Sequence, residues 1–596
     1  MAHSRLQTLA YYMRPHWQKA AVGIFSLLIV NALGVYIPLL IRDGLDELQQ
    51  TFSLDRVIYY AGLILILASM MWVVRMTSRT LLFGVGRQVE FDLKQRIFRH
   101  LLTLEPDYFA INTPGDLISR ATSDVDNIRR LVGFAVLSLA NMVFAYGLTL
   151  PAMMGISVKL TLASLAVYPC ILILVQLFSN RLRSQQLDVQ QKTADLSDLI
   201  QEDMSGMALI KIYAQEENER RAFRDLNQRL LTANLRLSKS QNTLFPLLRG
   251  LASISQLVIL ALGIGSIADG RLSVGDFVAL LLFAERLVFP TALLGFTITA
   301  YQRGEVSVDR LEAILSTEPK VHDAANAIAL PQTDVRGWLS AHHLSYTYPG
   351  AEVPALDDVN FTIQAGETVA VVGPIGSGKS TLANALPRLL DVDPGQLYLD
   401  GYDITQLRLR DLRAAIAYVP QESFLFSTTI KNNIRYSDPM GEQEEVEQAA
   451  KQAQIHPEIL NFPQEYKTIV GERGITLSGG QRQRTALARA LLVDAPVLIL
   501  DDALSSVDNQ TATHILQNLS EGTRRKTVLF ISHQLSAAAA ADRILVMDRG
   551  KIVQSGTHAE LLAQGGLYQS LWEKHTMEQP ASEVGAKSFK DGFLGY

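Results

Sequence analysis

Gly373-Pro-Ile-Gly-Ser-Gly-Lys-Ser380 follows the apolar run Thr368–Val372 (TVAVV) and precedes the helical pattern of residues 381–390 (TLANALPRLL). The order is strand, glycine-rich loop, helix. The glycines let backbone N–H groups face an anion with no Cβ in the way, and the start of the next helix adds partial positive charge. Lys379 is placed to reach the outer phosphates of a nucleoside triphosphate and Ser380 to ligate Mg²⁺, with Thr381 next along the helix. Gly373, Pro374, Ile375, Gly376, Ser377, Gly378, Lys379 and Ser380 together are therefore a candidate triphosphate cradle. Further on, the apolar run Val497–Leu500 ends in Asp501, a carboxylate at a strand's carboxyl end, where a phosphate-bound metal lies. Between the two, Leu477, Ser478, Gly479, Gly480 and Gln481 open the helical RQRTALARALL, and a serine with two glycines at a helix start forms another anion site. From Trp338 to about His575, short apolar strands (369–372, 497–500, 528–531 and 544–547) alternate with helical stretches, predicting a parallel α/β sheet.

The chain before residue 316 has a different composition. Over all 596 residues only 19% are charged and mean hydropathy is +0.14, values that place part of the chain in lipid. Long apolar runs at Gln18–Ile41, Val57–Val74, Leu131–Ile156, Leu160–Phe178, Phe245–Ala268 and Val274–Ala300 each approach or exceed the roughly 20 residues that span a bilayer as helix. Six spans are predicted. The opening MAHSRLQTLAYYMRPHW lacks the layout of a cleavable signal and reads as an interfacial helix, with Tyr11, Tyr12 and Trp17 at headgroup depth. Arg79, Arg87, Lys94, Arg129, Arg130, Arg181, Arg183 and Lys211 crowd the connections after spans two and four, which the positive-inside rule makes cytoplasmic. Val57 to about Ala110 has no internal proline before Pro106, so helices extend well beyond the bilayer. Their tips, 112–130 and 204–217, are candidate docking points. Glu285 and Arg286 interrupt span six, where ionisable groups default to cavity or partner positions or lie near the span's end. Asn31, Asn141, Gln176 and Gln256 either line a path or bond between helices. The net charge of −5 and pI near 6.2 exclude a basic nucleic-acid-binding surface. The single cysteine, Cys170, excludes a disulfide scaffold or thiolate metal site and reads as apolar filler.

The order of P-loop, LSGGQ and strand-terminal Asp501 over some 240 residues resembles the ATP-binding cassette (ABC) family. The six-span portion is similar to the transmembrane domain of half-size ABC exporters, so the resemblance covers nearly the whole chain. It implies a membrane all-α six-helix domain joined to an α/β P-loop ATPase domain. The expected divisions are a transmembrane domain with cytoplasmic helical extensions at 1–315, a linker at 316–336, the nucleotide-binding domain at 337–576 and a disordered tail at 577–596. The resemblance carries roles to matching positions. Tyr348, in YTYPG, matches the aromatic that stacks on adenine, and Gln421 the glutamine that touches Mg²⁺ and water. Asp508, in SSVD, matches the loop that exchanges contacts between subunits. His533 matches the histidine on the γ-phosphate, and Ser380, Gln421 and Asp501 form the implied metal set. ATP and Mg²⁺ are the implied cofactors.

One position departs from the pattern. Competent family sites carry glutamate directly after the strand-terminal aspartate, and this chain has Asp502. A carboxylate shortened by one methylene sits about 1.5 Å back from the attacking water, and a misplacement of about 1 Å costs around a hundredfold in rate. Each ATP in the family lies between the P-loop of one subunit and LSGGQ of the other. The chain therefore resembles one subunit of heterodimeric bacterial exporters with a degenerate site, the MdlA-like multidrug group among them. The resemblance implies a second half-transporter subunit, a lipid bilayer and a hydrophobic or amphipathic substrate as partners, and no nucleic acid. The expected setting is the inner or plasma membrane with the ATPase domain cytoplasmic. A homodimer exporting lipid or peptide through Asp502, and an ATP-gated channel, are the alternatives.

Overall fold

The computed structural model describes residues 5–50, 52–331, 335–507, 511–512, 514–515, 519 and 525–578. Asp508 and the tail from residue 579 lie outside the described residues. The chain forms two compact units, one comprising residues to Thr103 with Asn112–Glu318, the other Leu104–Ile111 with the chain from Pro319.

The first unit is helical. Among the described residues six helices are long and apolar enough to cross a membrane: Gln7–Gln50, Leu54–Leu101, Pro114–Ile156, Val158–Ser205, Glu216–Ala268 and Val274–Leu315, here spans 1 to 6. The chain is thus a multi-pass membrane protein. Its helices satisfy their own backbone groups, as lipid requires, and each runs 42 to 53 residues, well beyond a hydrocarbon core. Span 2 stops at Leu101, earlier than its pattern suggests, because Thr103 folds back onto the His100 carbonyl and Glu105 precedes proline.

Polar side chains fasten the spans. Ser78 Oγ donates to Gly23 O at 2.8 Å, and Asn31 Nδ2 to Asn141 Oδ1 at 3.1 Å. Arg286 resolves its two readings by donating to Asn31 Oδ1 at 3.1 Å, joining spans 6, 1 and 3, whereas Glu285 is exposed. At the start of span 6, Asp46 accepts from the Gly275 N–H (2.8 Å) and Ser273 Oγ (2.6 Å), satisfying free donors of a helix start. Two expectations fail here. Tyr12 is buried, its hydroxyl bonded to Glu312 of span 6, because the first helix packs against the bundle, while Tyr11 and Trp17 stay exposed. Cys170 is exposed on span 4 and fills no core.

The second unit holds two sheets. A six-stranded sheet runs in the order β10-β9-β3-β8-β7-β6, with β3 Thr368–Val372, β6 Ile416–Val419, β7 Val497–Asp501, β8 Thr527–Ile531, β9 Arg543–Asp548 and β10 Lys551–Gly556. All its pairings are parallel except β9 with β10. Strands β3, β7 and β8 are buried at every residue, as expected of strands covered on both faces. An antiparallel sheet, β2-β1-β4-β5, packs over one face, with β1 Leu339–Tyr346, β2 Leu356–Ile363, β4 Leu397–Leu399 and β5 Tyr402–Asp403.

The divisions differ from the expected ones in three places. The stretch expected as a linker is bound to this unit: Ile328 exchanges backbone hydrogen bonds with Gln406 and Arg408, and Leu330 is buried. Leu104–Ile111, between spans 2 and 3, also belongs here. Glu105 accepts from the Val321 N–H at 2.7 Å, and Asp107 from the Tyr346 hydroxyl at 2.9 Å. The last helix, Leu567–Glu578, includes the first two residues assigned to the tail.

A Cβ at Gly275 would lie 2.3 Å from the Arg42 carbonyl and 2.7 Å from Asp46, so the clash is with fixed backbone. Gly275→Ala is expected to destabilise the protein by about 1–3 kcal/mol, read as a lower melting temperature in detergent. Gly147→Ala, where a Cβ meets nothing within 4 Å, is expected to leave it unchanged.

Candidate nucleotide-binding site

Four strands of the parallel sheet deliver sequence-predicted residues to one carboxyl edge. β3 runs into the glycine loop, β6 toward Gln421, β7 into Asp501 and Asp502, and β8 toward His533. Such an edge is where open α/β sheets bind ligands.

The loop takes its shape from Gly373, Gly376 and Gly378, at φ of +153°, +79° and +97°. A Cβ on Gly373 would lie 2.1 Å from the Met547 carbonyl, and one on Gly378 2.4 Å from that of Ala355, so no other residue fits without displacing backbone. Ser377 is buried, Pro374 half-buried and Ile375 exposed at the loop's tip. Lys379 and Ser380 start the helix Lys379–Ala385, whose first N–H groups have no intrahelical acceptor. The Lys379 ammonium, 6% exposed, donates to the carbonyls of Gly373 (2.9 Å) and Pro374 (2.7 Å). Burial pulls its pKa below the usual lysine value, while Asp501 and Asp502 push the other way.

Ser380 Oγ donates to Asp501 Oδ1 at 3.0 Å. Asp501 is 2% exposed, and burial raises its pKa against the lowering effect of hydrogen bonds from Ser380 and Tyr418. The Tyr418 hydroxyl lies 3.4 Å from Asp501 Oδ2 and donates to Asn384 at 2.8 Å. A serine hydroxyl and a carboxylate, hard oxygen donors 3.0 Å apart, fit a Mg²⁺ that takes its remaining ligands from phosphates and water. Among the described residues no group of three or more His, Cys, Asp or Glu side chains is placed to hold a metal ion.

Asp502 adopts a left-handed conformation, φ +49°, which aspartate tolerates better than most side chains. Its N–H donates to Ile531 O at 3.1 Å, fixing it between β7 and β8. Gln421 and His533 are exposed in the bends after their strands. Tyr348 is half-buried, its hydroxyl 3.4 Å from Thr381 Oγ1 and its ring edge-on to Tyr346 at 5.1 Å. An aromatic face therefore stands beside the phosphate loop.

Leu477, Ser478, Gly479, Gly480 and Gln481 lie elsewhere in the unit. Ser478 caps the helix Gly479–Leu492 in a reciprocal box with Gln481, and Leu477 is buried beneath it. Among the described residues no hydrogen bond joins this segment to the loop at 373–381. The helix that the segment opens is anchored by a side chain the sequence reading missed. Buried Gln483 donates to Ser505 Oγ (2.9 Å) and accepts from the Ser506 N–H (2.8 Å), tying the signature helix to the loop after Asp502. Gly480 packs so closely on Ser506 that a Cβ would lie 2.7 Å from its carbonyl. Glu458 holds the helix from the other side through Gln481 (2.9 Å) and Arg484 (2.6 Å). Gln483 follows the motif by two residues, but only the fold shows what it touches.

Two family models match the chain: the ABC transporter transmembrane region over residues 20–291 and the ABC transporter over residues 356–505. The probable multidrug resistance ABC transporter ATP-binding/permease protein YheI of Bacillus subtilis is 33% identical over 96% of this chain and 98% of its own. The multidrug resistance-like ATP-binding protein MdlA of Escherichia coli is 33% identical over 96% of each. A bacterial Atm1-family ABC exporter solved with ATP bound is similar over 94% of this chain and 99% of its own, at 25% identity and a TM-score of 0.75.

Asp501 carries a raised carboxyl pKa, so its ionisation at neutral pH opposes folding. The cost is present above the folded-state pKa and disappears in acid. Asp501→Asn is expected to raise the melting temperature of the nucleotide-free protein by about 2 °C or more at pH 7.5, with the difference shrinking as pH falls toward 4. The same variant is expected to bind Mg-ATP more weakly. Differential scanning fluorimetry across pH, with and without Mg-ATP, checks both.

Proposed function

Because the chain belongs to the ABC transporters, as a half-size exporter whose ATPase is coupled to transport, we propose that it expels hydrophobic or amphipathic compounds, or flips lipids, as one subunit of a heterodimer with one degenerate ATP site. Half-size exporters work as dimers. The names of its relatives in B. subtilis and E. coli, both multidrug, support the substrate class. The observation that carries the heterodimer reading is Asp502, set between two strands with one methylene less than the family's glutamate, beside an intact LSGGQ.

In this reading the loop 373–378 wraps the phosphates with backbone N–H groups, and Lys379 leaves its carbonyl partners to meet the outer phosphates. Ser380 and Asp501 hold Mg²⁺, with Gln421 reaching it from the end of β6. When bound, Mg²⁺ neutralises charge on the β- and γ-phosphates. Tyr348 stacks on adenine, and His533 holds the γ-phosphate from the end of β8. Asp502 lies too far back to polarise the attacking water well. Ser478 to Gln481 face the partner's nucleotide, and Gln483 relays its occupancy to Ser505 and Ser506, next to Asp508 of the exchanging loop. Motion of β1 reaches the spans through Tyr346 and Asp107, on the peptide joining spans 2 and 3. That segment is the first coupling tip. Met207–Ile212 is the second, with Leu209, Ile212 and Tyr213 exposed for a partner. The setting is the inner or plasma membrane with the ATPase unit in the cytoplasm, from the arginine-rich long connections.

Lys379→Ala is expected to weaken Mg-ATP binding by tenfold or more in an equilibrium assay, since charge-assisted bonds to phosphate are lost. Unchanged affinity would remove the P-loop assignment. Asp502→Asn is expected to cost the complete complex less than half its steady-state ATPase. Ser478→Arg is expected to cost it more than tenfold, because it blocks the helix start that completes the partner's site. Brisk hydrolysis by the chain alone, abolished by Asp502→Asn, would instead establish a homodimer with two equivalent sites.

A further inference from the structure

The charged ends of the spans line a half-open cavity of about 610 Å³, within the range of small-molecule sites and wholly inside the first unit, with Arg183 and Arg303 exposed on its wall. Its wall carries four arginines, Arg129, Arg130, Arg183 and Arg303, from spans 3, 4 and 6, and no aspartate or glutamate. Aromatic rings from spans 2, 3 and 6, those of Phe83, Phe134 and Phe296, line the same space.

The four arginines are not equally neutralised. Arg129 and Arg130 share one carboxylate, Asp126, at 2.8 and 2.7 Å. Glu90, 3.4 Å from Arg129, is also engaged by Arg87 and Lys94. Arg183 and Arg303 have no hydrogen bond or ion pair among the described residues. The cavity therefore holds an excess of guanidinium charge against an apolar aromatic wall.

Span 3 is locally rebuilt to make this wall. Two π-helical segments, Arg120–Asp124 and Leu131–Ala135, flank the α-helical Val125–Arg130. π-turns are rare and concentrate at functional positions. Between them Asn127 donates to Ser307 Oγ at 3.1 Å, and Ser307 donates to buried Asp124 at 2.7 Å, locking spans 3 and 6 beside the cavity. Arg129, Arg130 and Arg303, on spans 3 and 6, are thus held on a braced surface.

We propose that this cavity is a binding site for an amphipathic anion, a carboxylate, sulfonate or phosphate head on an aromatic or apolar body. Arg183 and Arg303 take the head and the phenylalanines the body. A guanidinium offers paired N–H donors that match such heads. A lone cation meets only like charge on this wall. The inference rests on the exporter reading and names the substrate class of that reading.

The test uses the full-length protein in phosphatidylcholine nanodiscs, nucleotide-free, with two probes that share one body: pyrenebutyrate and pyrenebutyl-trimethylammonium. Binding is read by equilibrium dialysis against protein-free nanodiscs. The anion is expected to bind at least tenfold more tightly than the cation. Arg183→Gln with Arg303→Gln is expected to weaken the anion at least tenfold and leave the cation within twofold, and Arg183→Glu with Arg303→Glu to reverse the preference. Mg-ATP binding verifies that each variant is folded. Phosphatidylglycerol added to the discs separates the sources of the head. Displacement of pyrenebutyrate supports a lipid headgroup as the natural anion, and lack of displacement supports a free one. A wild-type protein that prefers the cation, or a double variant that loses both probes equally, overturns the inference. If that happens while Mg-ATP turnover still responds to other amphiphiles, the exporter reading stands and only the substrate class falls. Loss of Mg-ATP binding in the wild type would instead remove the exporter reading and leave the anion result untouched.

Discussion

An ammonium and a carboxylate, both almost wholly out of water, share one edge of a parallel sheet without pairing. Lys379 spends its protons on two loop carbonyls, and Asp501 takes its bonds from Ser380 and Tyr418. Burial disfavours the charge on each, lowering the lysine and raising the aspartate. Groups so poised are stabilised by a ligand that brings negative oxygens to the one and a cation to the other. The rest of the unit serves this arrangement: strands buried on both faces hold the edge rigid, and positive-φ glycines allow the loop to turn over it.

Much of this was legible because the chemistry is local. A phosphate loop is a run of contiguous backbone, so its residues must be contiguous in sequence, and its strand and helix neighbours follow by periodicity. Asp501 was readable as the end of an apolar strand. The six spans were readable because lipid leaves the backbone few choices. What escaped was set by distant partners. Tyr12 has the composition of an interfacial residue but meets Glu312, three hundred positions away. Residues 316–331 show no apolar period, yet their backbone bonds to 406–408 bind them to the second unit. Gln483, Tyr418 and Asp107 work through contacts that no spacing announces. The two π-turns of span 3 also lack a sequence mark, since they add a residue to a turn without changing its composition.

The two units place polar groups by different rules. In the ATPase unit they gather at one strand edge, where the sheet order brings four strand ends together. In the membrane unit they are scattered as braces, Asn31 with Asn141 and Arg286, Ser273 with Asp46, and Ser307 with Asp124. Among the described residues, Arg183 and Arg303 stand apart as charged groups without a hydrogen bond or ion pair.

If this chain's own P-loop holds ATP without readily cleaving it, the two nucleotides of the complex have different fates. 8-azido-ATP labelled at the γ-phosphate, photolinked to the complete complex after many turnovers with Mg²⁺, reports them separately. The γ-label is expected to remain on this chain and to be lost from its partner. Loss of the label from both chains at the same rate would contradict it.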